Sequence, residues 1–414
     1  MVMISTSLKS TTRPVNPSPL PSVQNRLAWA SGLLFLLLGT VILWQQGSHQ
    51  SLLYGIGFLL GMTLYHARFG FTSAFRQLLT VGQGQGIQAH MVMLSVASIL
   101  FAIIFATGIT WTGAAPQPNL SPVGTAMMVG AFMFGIGMQL GGACASGTLF
   151  HVAGGRSSLL LTLTGFIIGS VLAAWNWDFW QGLPSFGAFS LATSTGWGYG
   201  PALVVQLAVC ALIYLAVSWI SKKRNAPLRK PVPTTRGWKR IIRGSWPLWM
   251  AAVLLAVLNG LTLFFSGKPW GITSAFVLWG SKILQAAGID VASWSYWSGT
   301  NGQALKESVL AHTTSIMDFG IIFGALFAAA ISGTFKLQKI TPKVAAASLI
   351  GGIIMGYGAR LAFGCNIGAY FSGIASFSLH GWVWAVFALL GSYVGVKLRP
   401  LFTLKNPKPT DQFC

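Results

Sequence analysis

The sequence predicts an all-α polytopic membrane protein: about ten membrane spans plus short re-entrant helices, in two inverted repeats that form an hourglass path. Three observations predict it. First, 53% of the 414 residues are hydrophobic and only 7% are charged, with a mean hydropathy of +0.66. A soluble globular chain carries about 25% charged residues. Second, the apolar residues fall into windows of roughly 20, the length of a bilayer crossing. Third, two stretches of the chain repeat each other's glycines and a cysteine in register.

In chain order, a polar segment over 1–26 with four prolines comes first. It has no small-x-small cleavage pattern before the apolar window 27–45, so that window reads as a retained span. Nine further windows follow at 51–67, 89–112, 122–142, 157–175, 198–220, 246–266, 313–333, 343–361 and 381–398. The chain then divides into an extra first span (27–50), a first repeat (51–175), a connecting span (198–220), a basic linker (221–245), a second repeat (246–398) and a tail (399–414).

Twenty-six Lys and Arg against five acidic residues give a formal charge of +21. In a polar protein that balance would suggest nucleic acid. Here the cations sit in short segments between spans, so positive-inside topology accounts for them and no nucleic-acid partner is expected. The linker holds Lys222, Lys223, Arg224, Arg229, Lys230, Arg236, Lys239, Arg240 and Arg243 and no acid, which places it in the cytoplasm. Ten spans then put both termini inside. Arg68, Arg76, Arg156, Lys336, Lys339, Lys343, Lys397 and Arg399 fall on the same side, and only Lys268, Lys282, Lys306 and Arg360 remain outside.

The repeat is visible in two places. Gly70-Phe71-Thr72-Ser73-Ala74-Phe75 reads like Gly271-Ile272-Thr273-Ser274-Ala275-Phe276. The segment Gly137–Phe150 matches Gly358–Phe371 at its glycine, leucine, cysteine and phenylalanine positions, and Gly130 and Gly135 pair with Gly351 and Gly356 in the same register. Five spans separate the starts of the two units, and an odd number turns the second copy upside down. Inverted repeats place a substrate path at their interface. Each unit has two spans ending in a glycine-rich break, and broken helices at membrane depth must be buried or line a cavity.

Short helices starting at these breaks present free N–H groups and favour anions. Thr72, Ser73, Thr273, Ser274, Ser146 and Asn366 lie beside the breaks, as helix caps, as hydrogen-bond donors to an oxyanion, or as both. Gly142, Gly147, Gly364 and Gly368 surround the two matched cysteines, Cys144 and Cys365. A lone buried cysteine is usually an apolar filler, which is the reading for Cys210; Cys414 is incidental. No Cys-x-x-Cys or Cys/His grouping supports a metal or haem, and no cofactor is expected. Arg76 and Arg360 can attract an anion or sit at an interface. Asp318 is a functional suspect as an intramembrane acid, or a helix cap. His66, His90, His151, His312 and His380 fall near span ends and read as interfacial.

The segments Ala67–Arg76, Gly141–Thr148 and Gly358–Gly368, with Phe377-Ser378-Leu379-His380-Gly381-Trp382, resemble the YeeE/YedE family of sulfur-transport membrane proteins, the last stretch its YedE branch. The resemblance covers roughly residues 50–400. It implies uptake of thiosulfate across a bacterial inner membrane, with Cys144 and Cys365 as relay thiols contacting the anion through S–H groups. A cytoplasmic sulfur-carrier or sulfurtransferase protein is a candidate partner besides the small anion and membrane lipid. Many members carry a cysteine in the first break, where this chain has Gly70. The alternatives are transport of sulfite or a selenium-containing anion, and a membrane thiol enzyme that forms a persulfide; the expectation is a transporter and not an enzyme.

Overall fold

The computed structural model describes residues 21–227 and 237–408. Most of the polar N-terminal segment, linker residues Arg229, Lys230 and Arg236, and Cys414 lie outside the described residues.

Helix α1 runs over Asn25–Ala67, 43 residues. A straight helix of that length would span about 64 Å, twice the hydrocarbon core. Gly47 (φ 81, ψ 179) breaks it. Beyond the break the chain folds back: Phe35 stacks on Tyr54 at 4.7 Å and packs on Phe58 at 4.3 Å. One helix by hydrogen bonding is thus two antiparallel crossings, matching the windows 27–45 and 51–67.

The remaining long apolar helices are α3 (Gln85–Thr107), α4 (Thr125–Leu140), α6 (Ser158–Trp175), α8 (Tyr199–Lys223), α10 (Leu248–Ser266), α13 (Thr313–Ser332), α14 (Pro342–Leu361) and α16 (Leu379–Leu398). Among the described residues nine helical stretches are long and apolar enough to cross a membrane, and the fold-back at Gly47 makes ten crossings. The chain is a multi-pass membrane protein. Short helices occupy the breaks and connections: α2 (Phe71–Val81), α5 (Ala145–Ala153), α7 (Trp177–Gln181), α9 (Trp238–Arg243), α11 (Thr273–Ala286), α12 (Thr300–Lys306), a π-helix over Asn366–Ser372 and α15 (Gly373–Ala375). Strands β1 (Pro122–Gly124) and β2 (Ser185–Ala188) pair antiparallel and tie two loops together.

The window 89–112 needs a correction. Its helix begins earlier, at Gln85, and stops at Thr107, because Gly108 takes a left-handed conformation (φ 68) that closes the last turn. Residues 109–121 are loop despite their apolar content, and Asn119 from this loop reaches the site described below.

Small residues set the packing. Lipid chains are as apolar as leucine, so membrane helices associate by close backbone approach. Helices α4 and α14 cross through glycines on both sides. A Cβ on Gly130 would lie 2.7 Å from the Gly358 carbonyl oxygen, and one on Gly358 would lie 2.4 Å from that of Gly130. Gly137 and Gly351 meet in the same reciprocal way, at 2.6 and 2.9 Å. Residues that match in sequence therefore exchange partners across the seam, the signature of a two-fold relation. The flanking contacts follow suit: Gly135 of α4 meets the Ala388 carbonyl of α16, and Gly356 of α14 meets that of Phe166 in α6. Helix α1 packs on α13 with Gly57 and Gly61 against the Met317 and Ile321 carbonyls, and Gly320 and Gly324 against those of Tyr54 and Phe58. The connecting helix α8 is held by Gln206, whose amide donates to Ser98 and to the Ile374 carbonyl.

The histidines correct a further expectation. His66, His90 and His380 are buried, not interfacial. His90 sits among aromatic rings, 4.6 Å from Phe71 and 6.0 Å from Tyr370 between centroids. Sequence position near a helix end does not reveal that α2 and the π-helix cover that end.

Candidate functional site

Two breaks carry the matched cysteines, and the backbone builds them alike. Helix α4 ends at Leu140, Gly142 turns left-handed (φ 88), and Cys144 is extended before α5. Helix α14 ends at Leu361, Phe363 turns left-handed (φ 55) at the equivalent position, and Cys365 is extended before the π-helix. Phe363 adopts with a bulky side chain what Gly142 adopts freely, at a cost of about 1–3 kcal/mol. The hydrogen bonds agree in register as well: Thr148 N–H donates to the Cys144 carbonyl (2.7 Å) and Ala369 N–H to that of Cys365 (2.9 Å).

Both thiols are free and nearly inaccessible, 2% exposed at Cys144 and 1% at Cys365. Cys365 Sγ accepts the Ile367 N–H at 3.4 Å. Cys144 Sγ lies 3.5 Å from Ser146 Oγ. The amides of Gly147 and Gly368, equivalent residues, lie close to the sulfurs of Cys144 and Cys365 respectively. The two thiols lie within electrostatic reach of each other.

Each break closes the floor of a vestibule. The larger, about 660 Å³, is lined by Thr72, Ser73 and Arg76 of α2, by Gly142, Cys144 and Gly147, and by Arg68, Arg156, Arg243 and Lys336. The smaller, about 350 Å³, is lined by Thr273, Ser274, Thr314, Lys268, Arg360, Gly364 and Gly368. The larger opens beside the start of α10 and the end of α13, the smaller beside the end of α10 and the start of α13, so they lie at opposite ends. Repeat-matched residues line them: Thr72 and Thr273, Ser73 and Ser274, Gly147 and Gly368. Among the described residues no carboxylate lines either one.

The hydroxyls do not act as helix caps. Ser73 Oγ donates to the Gly70 carbonyl (2.9 Å) and Ser274 Oγ to Thr314 (3.1 Å). Thr72 Oγ1 approaches the Cys144 sulfur yet is buried without a hydrogen-bond partner, as are both amide atoms of Asn366. Most buried polar groups in proteins are hydrogen-bonded, and an exception calls for a specific explanation. Arg360 is buried, donating to Tyr296 Oη at 2.8 Å with its guanidinium 5.4 Å from that ring. Asp318 is not a cap either: His312 caps α13, and Asp318 is fully buried with both oxygens unpartnered. Cys210 lies buried in α8, outside both vestibules.

Residues that sequence reasoning did not place here complete the site. Arg68, Arg156, Arg243 and Lys336 were only markers of sidedness, and the fold gathers them into one cavity. Burial and neighbouring Arg68 hold the Arg156 guanidinium below its ordinary pKa, partly countered by Tyr65. Asn119 donates to the Gly368 carbonyl at 2.6 Å. Asn259 in mid-α10 accepts the Trp270 N–H and donates to Ser372, pinning the first break of the second repeat to the π-helix. A polar residue in mid-span was the signal for Asn259; nothing marked Asn119.

Residues 66–394 match the model of the family described as sulphur transport. The chain belongs to that family. It is 30% identical over 358 residues to the thiosulfate transporter TsuA of Spirochaeta thermophila, covering 82% of this chain and 95% of that protein. TsuA of Escherichia coli is 26% identical over 360 residues, 83% of this chain and 94% of its own length. The probable transporter YedE of Escherichia coli is 35% identical over 163 residues, 38% of this chain and 40% of its length, so that match spans less than half of YedE. The family's description and these relatives' names are those of transporters.

Proposed function

We propose that the protein takes up an inorganic sulfur anion, thiosulfate, across the bacterial inner membrane through an hourglass path between its repeats, 51–175 and 246–398. The carrying observation is the pair of register-equivalent thiols, each at a break behind a vestibule. Positive-inside topology puts the basic, larger vestibule in the cytoplasm with both termini, and the smaller one outside. The anion enters over Thr273, Ser274 and Arg360 and meets Cys365. It passes to Cys144 and leaves among Arg68, Arg76 and Arg156, where a cytoplasmic sulfur carrier could collect it.

A thiol suits this relay because S–H is a weak donor. It contacts the anion without a fixed charge that would hold it. Asn366 and Thr72 add neutral donors beside the two sulfurs. Gly70 carries no thiol, so two cysteines serve here. The names of the TsuA relatives support thiosulfate as the substrate. Moving a dianion inward against 100 mV costs roughly 4.6 kcal/mol, at about 2.3 per charge. Uptake therefore needs coupling or rapid consumption inside.

The test is labelled thiosulfate uptake in cells lacking their own sulfate and thiosulfate importers, with Cys144→Ser and Cys365→Ser at equal protein levels. Uptake by the wild type and its loss in both variants is the expected result. Absence of uptake by well-inserted wild type would reject thiosulfate and direct attention to sulfite and selenium anions.

A further inference from the structure

Asp318 is the sixth residue of α13, and no part of the relay uses it. It is fully buried, and neither carboxyl oxygen has a hydrogen-bond or ion-pair partner. A carboxylate in such a place is costly; the protonated acid is not. Its position relates it to the path. Thr314 lines the smaller vestibule, and Asp318 follows four residues later, one turn deeper on the same helix face. It lies within electrostatic reach of Cys365. The carboxyl thus lies one helical turn from a vestibule hydroxyl and close enough to the first thiol to influence it.

The titratable groups on elements packed against α13 are engaged elsewhere or lie at its far end: His49 of α1 bonds to the Phe265 carbonyl, and Arg240 of α9 donates to that of Ser245. Lys282 of α11 donates to the carbonyls of Leu305 and Glu307. Tyr54 and Tyr65 of α1 bond to Phe35 and Thr334. His66 and His151 line the opposite vestibule, as does Arg243 of α9. His312 bonds to Ser315, and Arg360 to Tyr296. Of the thiols, Cys365 is the one that reaches Asp318. The matching sixth residue of α3 is His90, enclosed by aromatic rings and in neither vestibule lining.

We infer that Asp318 is a proton-binding site and that the protein is a proton-coupled symporter, an inference that rests on the transport reading above. The carboxylate, formed only when the preceding cycle has released its proton, takes one proton from the outer vestibule as the anion arrives and becomes the favoured neutral acid near Cys365. It returns that proton to water on the cytoplasmic side after the anion has left. No bond other than O–H forms or breaks. One proton per thiosulfate leaves a single net negative charge moving, which relaxes the opposition of a 100 mV potential about 50-fold.

The experiment uses full-length protein in proteoliposomes with a trapped pH dye and the potential clamped by valinomycin and potassium. Adding thiosulfate outside should acidify the lumen in step with uptake, and one pH unit, acid outside, should raise accumulation about tenfold. Asp318→Asn, a neutral isostere, should still exchange labelled for unlabelled thiosulfate but neither acidify the lumen nor respond to the gradient. Cysteine-dependent uptake by the wild type, with no acidification and no gradient response, would overturn the symport while leaving the transport reading intact. Gradient-driven accumulation by D318N would overturn the role of Asp318. No thiosulfate movement in any arm would remove both readings. The wild-type arms decide the coupling even where D318N does not insert.

Discussion

The glycine seam between α4 and α14 gives a prediction that can be worked from distances. In Gly351→Ala the new Cβ would lie 2.3 Å from the Gly141 nitrogen and 2.9 Å from both the Gly141 Cα and the Gly137 carbonyl oxygen. All three are backbone atoms, so no side chain can swing away. Ordinary contact begins near 3.4 Å, and α4 must retreat from α14 by about 1 Å. Overpacking of this kind costs about 1–3 kcal/mol. The displaced segment is the one that turns at Gly142 to present Cys144, so the damage should reach that thiol and, on the proposed relay, transport. G351A is expected to lower the thermal midpoint in detergent by several degrees, to speed labelling of Cys144 by a small membrane-permeant maleimide, and to reduce uptake. Gly55→Ala, where an added Cβ meets nothing within 4 Å, serves as the control. If G351A melts and transports as the wild type does, the close crossing does not position the thiol.

Two further outcomes are expected. Burial holds the His312 imidazole down at about 4, with Lys268 acting the same way and Glu307 opposing, and its neutral Nδ1 accepts the Ser315 N–H at the start of α13. Because this pKa lies below the unfolded value of about 6.5, stability is full above pH 6.5 and is lost as pH falls towards 4, by up to about 3 kcal/mol. His312→Asn, which can still cap, should flatten that slope in thermal unfolding followed against pH; an unchanged slope would assign it to other groups. Cys210→Ala should transport thiosulfate at close to the wild-type rate, since α8 presents this thiol to neither vestibule, and a loss matching C144S would require a third relay thiol.

Much of this architecture was legible in the residues because the lipid phase makes local demands. Every crossing must satisfy its own backbone and be apolar over about 20 residues. The windows were therefore found nearly in place, even the pair hidden in one 43-residue helix. The register shared by Cys144 and Cys365 was equally readable, since a repeated backbone turn needs the same small residues at the same spacing. Where local content misled, an apolar loop at 109–121 was read partly as helix, because hydropathy does not detect a closing Gly108.

Other features depend on which segments meet, and the sequence holds no local mark of that. Arg68, Arg156, Arg243 and Lys336 lie far apart in the chain and converge only because α1, α5, α9 and the end of α13 share one rim. His90 and Asp318 stand near helix starts, where the sequence suggests an interface or a cap; tertiary packing buries them. Ser73 and Ser274 have the chemistry of caps, yet the fold offers them a nearer carbonyl and a neighbouring threonine. Hydropathy and glycine register thus determined the spans and the breaks, which each segment specifies by itself. Which groups line the two vestibules, and which are sealed beside them, was decided by contacts between distant segments, because burial and partner choice belong to the assembled helices.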